Sequence, residues 1–162
     1  IADYEQSVDF SIKISNYRGV TDAGGLLAQA YQHNGNLPDA LAAINRAIDA
    51  NTKIPDELYL VPRNLAIKAE IIEKMGHAKE ADGLYQKSIA LVDGMIQHAA
   101  TTNIQRQLLA EMSDVYSDYF ASLCAQNRYD DALQARERVR GRVETEALEH
   151  LANQPVHAPT PD

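Results

Sequence analysis

The sequence predicts an all-α fold, a right-handed solenoid of stacked helical hairpins whose later helices are lengthened. Three observations predict it. Apolar residues recur at helical spacing on both sides of Gly35; the same grammar returns around Gly76 and Asn127; and an alanine stands five places after each of those turn residues, at Ala40, Ala81 and Ala132. A repeated helix-turn-helix unit cannot bury its apolar face alone, so such units must stack.

A leading helix is expected over residues 2–16, where Phe10 lies 34 residues before Ile44 and would belong to the second helix of a truncated preceding repeat. The first full repeat spans 21–51. Ala23, Leu26, Leu27, Ala30 and Tyr31 make one stripe, and Ala40, Leu41, Ile44, Ala47 and Ile48 make the next. Gly35 suits the left-handed residue that closes a helix, while Pro38 and Asp39 suit the first turn of the following one.

The second repeat, 56–99, carries Leu65, Ala69, Ile72 and Met75 before Gly76, then Ala81, Leu84, Tyr85, Ser88, Ile89 and Val92. Its first helix is expected from near Asp56, started or kinked by Pro62. The third, 104–152, has Leu108, Met112, Val115, Tyr116, Tyr119, Phe120 and Leu123 before Asn127, and Ala132, Leu133, Val139, Val143 and Leu148 after it. Asparagine also tolerates the left-handed cap.

The turn residues are 41 and 51 positions apart, so segments 78–99 and 104–126 should be single long helices of about 33 Å each. Thr101, Thr102 and Asn103 would cap the boundary between them. Alanine at each crossing lets two backbones approach. Tyr31, Ile44, Leu65, Tyr85, Tyr116 and Phe120 are expected in one continuous core. Residues 1–152 thus form one domain, and 153–162, with three prolines, form an extended tail.

With 162 residues, 45% of them apolar, the chain is long enough for a packed core without staples. The single Cys124 excludes an internal disulfide, and no Cys/His cluster has metal-ligand spacing. A net charge of −8 disfavours nucleic acid and anionic membranes as partners. No targeting or membrane-spanning segment is legible, which favours the cytoplasm. The chain starts at Ile1 rather than methionine, and is expected to be a piece of a longer protein.

The stretch Leu27, Ala28, Tyr31, Gly35, Ala40 and Ala47 resembles the tetratricopeptide repeat (TPR). The Gly76 copy keeps Leu65, Ala69 and Ala81 but has Ile72 in the place of Tyr31, and the Asn127 copy keeps Ala132. Residues 104–150, ending in the run from Tyr129 to Arg142, are similar to the helices that close a bacterial TPR array ahead of a caspase-like CHAT protease domain. That resemblance implies a partner-binding segment whose partner is a protein or peptide, or a C-terminal domain of the same polypeptide.

The first helix of each hairpin would line the concave side. TPR geometry places there Asp22, Gln29, Gln32 and His33, then Arg63, Glu70 and Lys74, then Asp114, Ser117 and Asp118. Gly25 and Gln29 stand where a lysine and asparagine set for a peptide carboxylate would begin, so a carboxylate clamp is disfavoured. No catalytic residue, metal or cofactor is expected. Gly24 and Gly25 lack a phosphate-binding frame and read as a close helix contact. Arg136, Arg138, Arg140 and Arg142 read as a solvated face, with docking to a neighbouring domain as the alternative. Two function classes remain: a non-catalytic interaction scaffold, and an all-helical enzyme using Cys124 or the concave carboxylates.

Overall fold

In the computed structural model, residues 1–57 and 59–137 are described, and every regular element among them is an α-helix. In chain order these are α1 (Ala2–Lys13), α2 (Tyr17–His33), α3 (Leu37–Asn51), α4 (Leu60–Lys74), α5 (Ala78–Gln97), α6 (Thr102–Glu111) and α7 (Ser113–Ala125). An eighth, α8, runs over 129–137. The expectations for Val139, Val143, Leu148, the arginines at 138, 140 and 142, and the tail 153–162 lie outside the described residues.

The turns follow the predicted chemistry. Gly35, Gly76 and Asn127 have φ of +76°, +91° and +59°, and Ser15, between α1 and α2, makes a fourth such turn at +55°. All four close with the same two hydrogen bonds. At Gly35, its own N–H donates to the Gln32 carbonyl and the Asn36 N–H donates to the Tyr31 carbonyl; Asn16, His77 and Arg128 repeat the longer bond to Ser11, Ile72 and Leu123. This is the Schellman arrangement, which satisfies carbonyls a helix end would otherwise leave open. The following helices start on side-chain caps where the sequence offers one: Asn16 Oδ1 accepts from the Gly19 N–H and Asn36 Oδ1 from the Asp39 N–H.

Ala40, Ala81 and Ala132 are buried, as a close crossing requires. The paired glycines do the same work on two sides of α2. A Cβ on Gly24 would lie 3.0 Å from the Cβ of Ala47 on α3, and one on Gly25 would lie 2.7 Å from Asn64 Oδ1 on α4. Thr21 adds a hydrogen bond to the Ala47 carbonyl across the first crossing.

The core is two clusters rather than the single one expected. Val8, Leu27, Ala28, Ala40, Ile44 and Ala47 pack with Ile67 and Ile71 in the first. Ala69, Ile72, Ala81, Tyr85, Val92, Val115, Tyr119 and Leu123 belong to the second. Helix α4 supplies residues to both, and half-buried Leu41 touches each. Tyr31 and Phe120 are half-buried at the margins, not central. Tyr31 turns its hydroxyl out to the Glu5 carboxylate, and Phe120 lies under the Arg136 guanidinium, 6.0 Å from the ring centre.

Two helix boundaries are corrected. The segment expected to run unbroken over 104–126 divides at Met112, between α6 and α7. Ser113 Oγ donates to the Ala110 carbonyl at 2.8 Å and the Val115 N–H donates to the Met112 carbonyl, so the ladder tightens to three-residue spacing there. Helix α4 starts at Leu60, not near Asp56, with Pro62 in its first turn, where the missing N–H is harmless. Thr101 caps α6 as predicted, accepting from the Ile104 N–H at 3.3 Å. The connection before α4 is held by Arg18, which pairs with Glu57 at 3.4 Å and donates to the Tyr59 hydroxyl at 3.1 Å.

Candidate interaction face

Helix α2 packs on α4, and α4 on α7, so the first helices of the three hairpins form one row. Their outward positions carry the expected polar residues. Asp22, Gln29 and Arg63 share a recess of about 160 Å³ between α2 and α4, walled also by Gly25, Leu26 and Asn64. At the floor Asn64 is 4% exposed, and its Nδ2 is buried without an acceptor. A buried donor left unpaired costs about 1–3 kcal/mol and is uncommon in native proteins.

Farther along the row, charged groups of α4 and α7 gather where the two helices meet, with Lys74 at the far end of α4 paired along its own helix. Arg63 Nη2 lies 4.0 Å from Asp114 Oδ2, and Lys74 Nζ lies 2.9 Å from Glu70 Oε1. Asp118 sits among them. Burial pushes its carboxyl up to about 6, the negative charges of Glu70 and Asp114 push the same way, and Arg63 pulls it down. The face is therefore polar with a surplus of carboxylates at its α7 end.

Three expected residues stand apart. Gln32 is a correction: it is buried at 5% exposure with its Nε2 unpartnered, because it lies two helical turns beyond Gly25 and follows that residue into the packed side of α2. His33 is exposed at the end of α2. Ser117 lines a different, mostly apolar cavity of about 520 Å³ with Leu109, Tyr116, Phe120 and Arg136. Cys124 is half-buried against the second core cluster. Among the described residues no three His, Cys, Asp or Glu side chains are grouped to hold a metal ion, and no helix is long and apolar enough to cross a membrane.

Residue spacing gave no sign of the polar lattice behind this face. Asp82 on α5 accepts from the Tyr119 hydroxyl at 3.0 Å, from Arg128 Nη1 at 2.8 Å and from Gln86 Nε2 at 2.9 Å. Arg128 also reaches Asp131 at 2.7 Å, which fixes the turn into α8 onto α5. Ser122 and Gln126 on α7 donate to Glu73 Oε1 on α4 at 2.7 and 2.9 Å. These bonds hold α7 in line with α4, and so hold the face together.

The fold and the row of first helices define an all-helical protein of repeated hairpins. Compared with protein-family models, with curated proteins and with solved structures, the chain has no significant match.

Proposed function

We propose that this chain is a non-catalytic interaction segment, a right-handed TPR-like solenoid that holds a protein or peptide partner along the α2–α4–α7 row. One observation carries the reading: three hairpins with equivalent turns present their first helices side by side, with Asp22, Gln29, Arg63, Glu70, Lys74, Asp114 and Asp118 on that row. A contiguous, mixed-charge surface on rigid helices is suited to recognition by shape and charge pattern. The resemblance of residues 104–150 to array-closing helices supports reading the segment as the regulatory or recognition arm of a CHAT-protease-type polypeptide.

The test is a crosslinking pull-down from the organism's own extract. The wild-type segment should capture a partner, the Arg63→Glu/Asp118→Lys double variant should lose it, and a Lys87→Glu change on α5 should keep it. Equal capture by all three proteins would take binding off this face. The enzyme reading has its own test: a Cys124 thiol that alkylates rapidly with iodoacetamide in the native state would revive it.

A further inference from the structure

The turn that joins α2 to α3 holds a chemically labile pair. Asn34-Gly35 is the one place in the sequence where an asparagine precedes a glycine. Other asparagines at turns use their side chains: Asn16 and Asn36 cap helices, and Asn127 accepts from the Tyr129 hydroxyl. Asn34 is exposed at the end of α2 and makes no such bond among the described residues. A side-chain amide followed by glycine is prone to attack by the next backbone nitrogen, because no Cβ shields that nitrogen. The freedom that lets Gly35 take a φ of +76° therefore also exposes its neighbour.

At rest the turn withholds the attack. At a ψ of 3° the Gly35 nitrogen eclipses Asn34's own nitrogen, whereas ring closure needs it on the Cβ side of the Cα–C bond. Its N–H is also engaged, donating to the Gln32 carbonyl at 3.0 Å, and the Asn36 N–H donates to the Tyr31 carbonyl at 2.9 Å across the same turn. Swinging ψ to the reactive geometry breaks both bonds.

We propose that Asn34 is a deamidation site gated by the opening of this turn. In the open turn the Gly35 nitrogen, losing its proton, bonds to Asn34 Cγ as the Cγ–Nδ2 bond breaks, and ammonia leaves with that proton. Water then opens the cyclic imide at either carbonyl, giving aspartate or isoaspartate; nothing is oxidised or reduced. Isoaspartate routes the main chain through Cβ, so the added atom keeps the turn's two bonds from closing together. Either product puts a carboxylate at the negative end of the α2 dipole. Chemistry this slow samples the open fraction of the turn, so its rate reads local stability. Asp82-Gly83 and Asp93-Gly94 have the same form with a carboxyl in place of the amide, but they lie inside α5. Both carboxylates are hydrogen-bonded there, Asp82 to Tyr119 and Arg128 and Asp93 to Tyr116.

The experiment incubates the full chain in mildly alkaline buffer, native and in guanidinium chloride, and maps its peptides by mass over time. Asn34 should convert to the acid at least about tenfold more slowly in the native chain, since two backbone bonds must open first. Asn36→Ala removes the α3 cap but keeps the Asn34-Gly35 pair, and should speed native conversion about fivefold while leaving the unfolded rate unchanged. Those two results together support the site. Equal rates in the native and unfolded chains, no conversion in either native protein, an Asn36→Ala rate no faster than wild type, or isomerisation at Asp82 or Asp93 that keeps pace with Asn34, overturns it.

Discussion

Asn64 Oδ1 on α4 lies where a Cβ on Gly25 of α2 would come within 2.7 Å, so the two helices meet at a position only glycine fills without displacement. Gly24, the next residue, plays the same part toward Ala47 at 3.0 Å, whereas Gly83 and Gly94 on α5 have nothing within 4 Å of an added Cβ. The four substitutions to alanine should therefore separate by sign. Helix propensity favours alanine by about 1 kcal/mol everywhere, and overpacking at a tight crossing costs about 1–3 kcal/mol. Gly83→Ala and Gly94→Ala should raise the urea midpoint, and Gly24→Ala and Gly25→Ala should lower it. A uniform rise across all four would show that α2 has room on both sides.

The four left-handed turns make a second set. Gly35→Ala and Gly76→Ala should each destabilise by about 1 kcal/mol, since a Cβ disfavours positive φ. Ser15→Gly and Asn127→Gly should be neutral or stabilising by up to about 1 kcal/mol for the same reason. Thermal unfolding of the four variants under one buffer checks both halves of this expectation.

Burial ranks the aromatic residues. Tyr85, 1% exposed and with its ring centre 5.4 Å from that of Tyr119 in a tilted pair, should cost about 3–5 kcal/mol when truncated to alanine. Phe120, half-buried beside the larger cavity, should cost about half as much. Denaturant midpoints for Tyr85→Ala and Phe120→Ala would reverse this order if the ring of Phe120 were the better packed.

Asp118 predicts a pH dependence. Its carboxyl is raised from 3.8 to about 6 in the folded chain, so the native state holds that proton more tightly than the unfolded one. The resulting stabilisation is complete below about pH 4 and is lost as pH rises through about 6. Asp118→Asn should accordingly be close to neutral near pH 4 and stabilising at pH 7. A shift of about two units would correspond to roughly 2.7 kcal/mol, and the half-exposure of the group reduces the expected gain to about 1 kcal/mol. Paired urea titrations at the two pH values measure the difference, and a gain independent of pH would mean that the carboxyl is solvated normally.

The turns and crossings were legible because local chemistry dictates them. Gly35, Gly76, Asn127, Ala40, Ala81 and Ala132 could be read from spacing alone, and each has the conformation or burial its position demands. Ser15 was not, because serine carries no preference that marks a left-handed turn, and only the repeated bonds of the other three turns reveal it as one of the set. The break at Met112 escaped for a related reason. The apolar stripe continues through it, and the interruption comes from one hydroxyl bonding backward, which periodicity does not register. Of the expected face, Asp22, Gln29, Arg63, Glu70, Lys74, Asp114 and Asp118 lie on the row that the hairpin pattern implies, and His33 and Ser117 stand apart from it. Gln32 was misplaced because a polar side chain at a packed position looks the same in sequence as one in water. The union of Asp82, Arg128 and Tyr119 was invisible, since it depends on elements brought together from up to 46 residues apart.

Helix α4 lends one flank to each hydrophobic cluster, and this gives the molecule a single point of mutual dependence. Ile67 and Ile71 look one way, Ala69 and Ile72 the other, so fraying that helix opens both halves at once. Amide protons on α2 and on α7 should then exchange with a common slow rate set by the same opening event, and unfolding should proceed as one transition instead of peeling inward from either end.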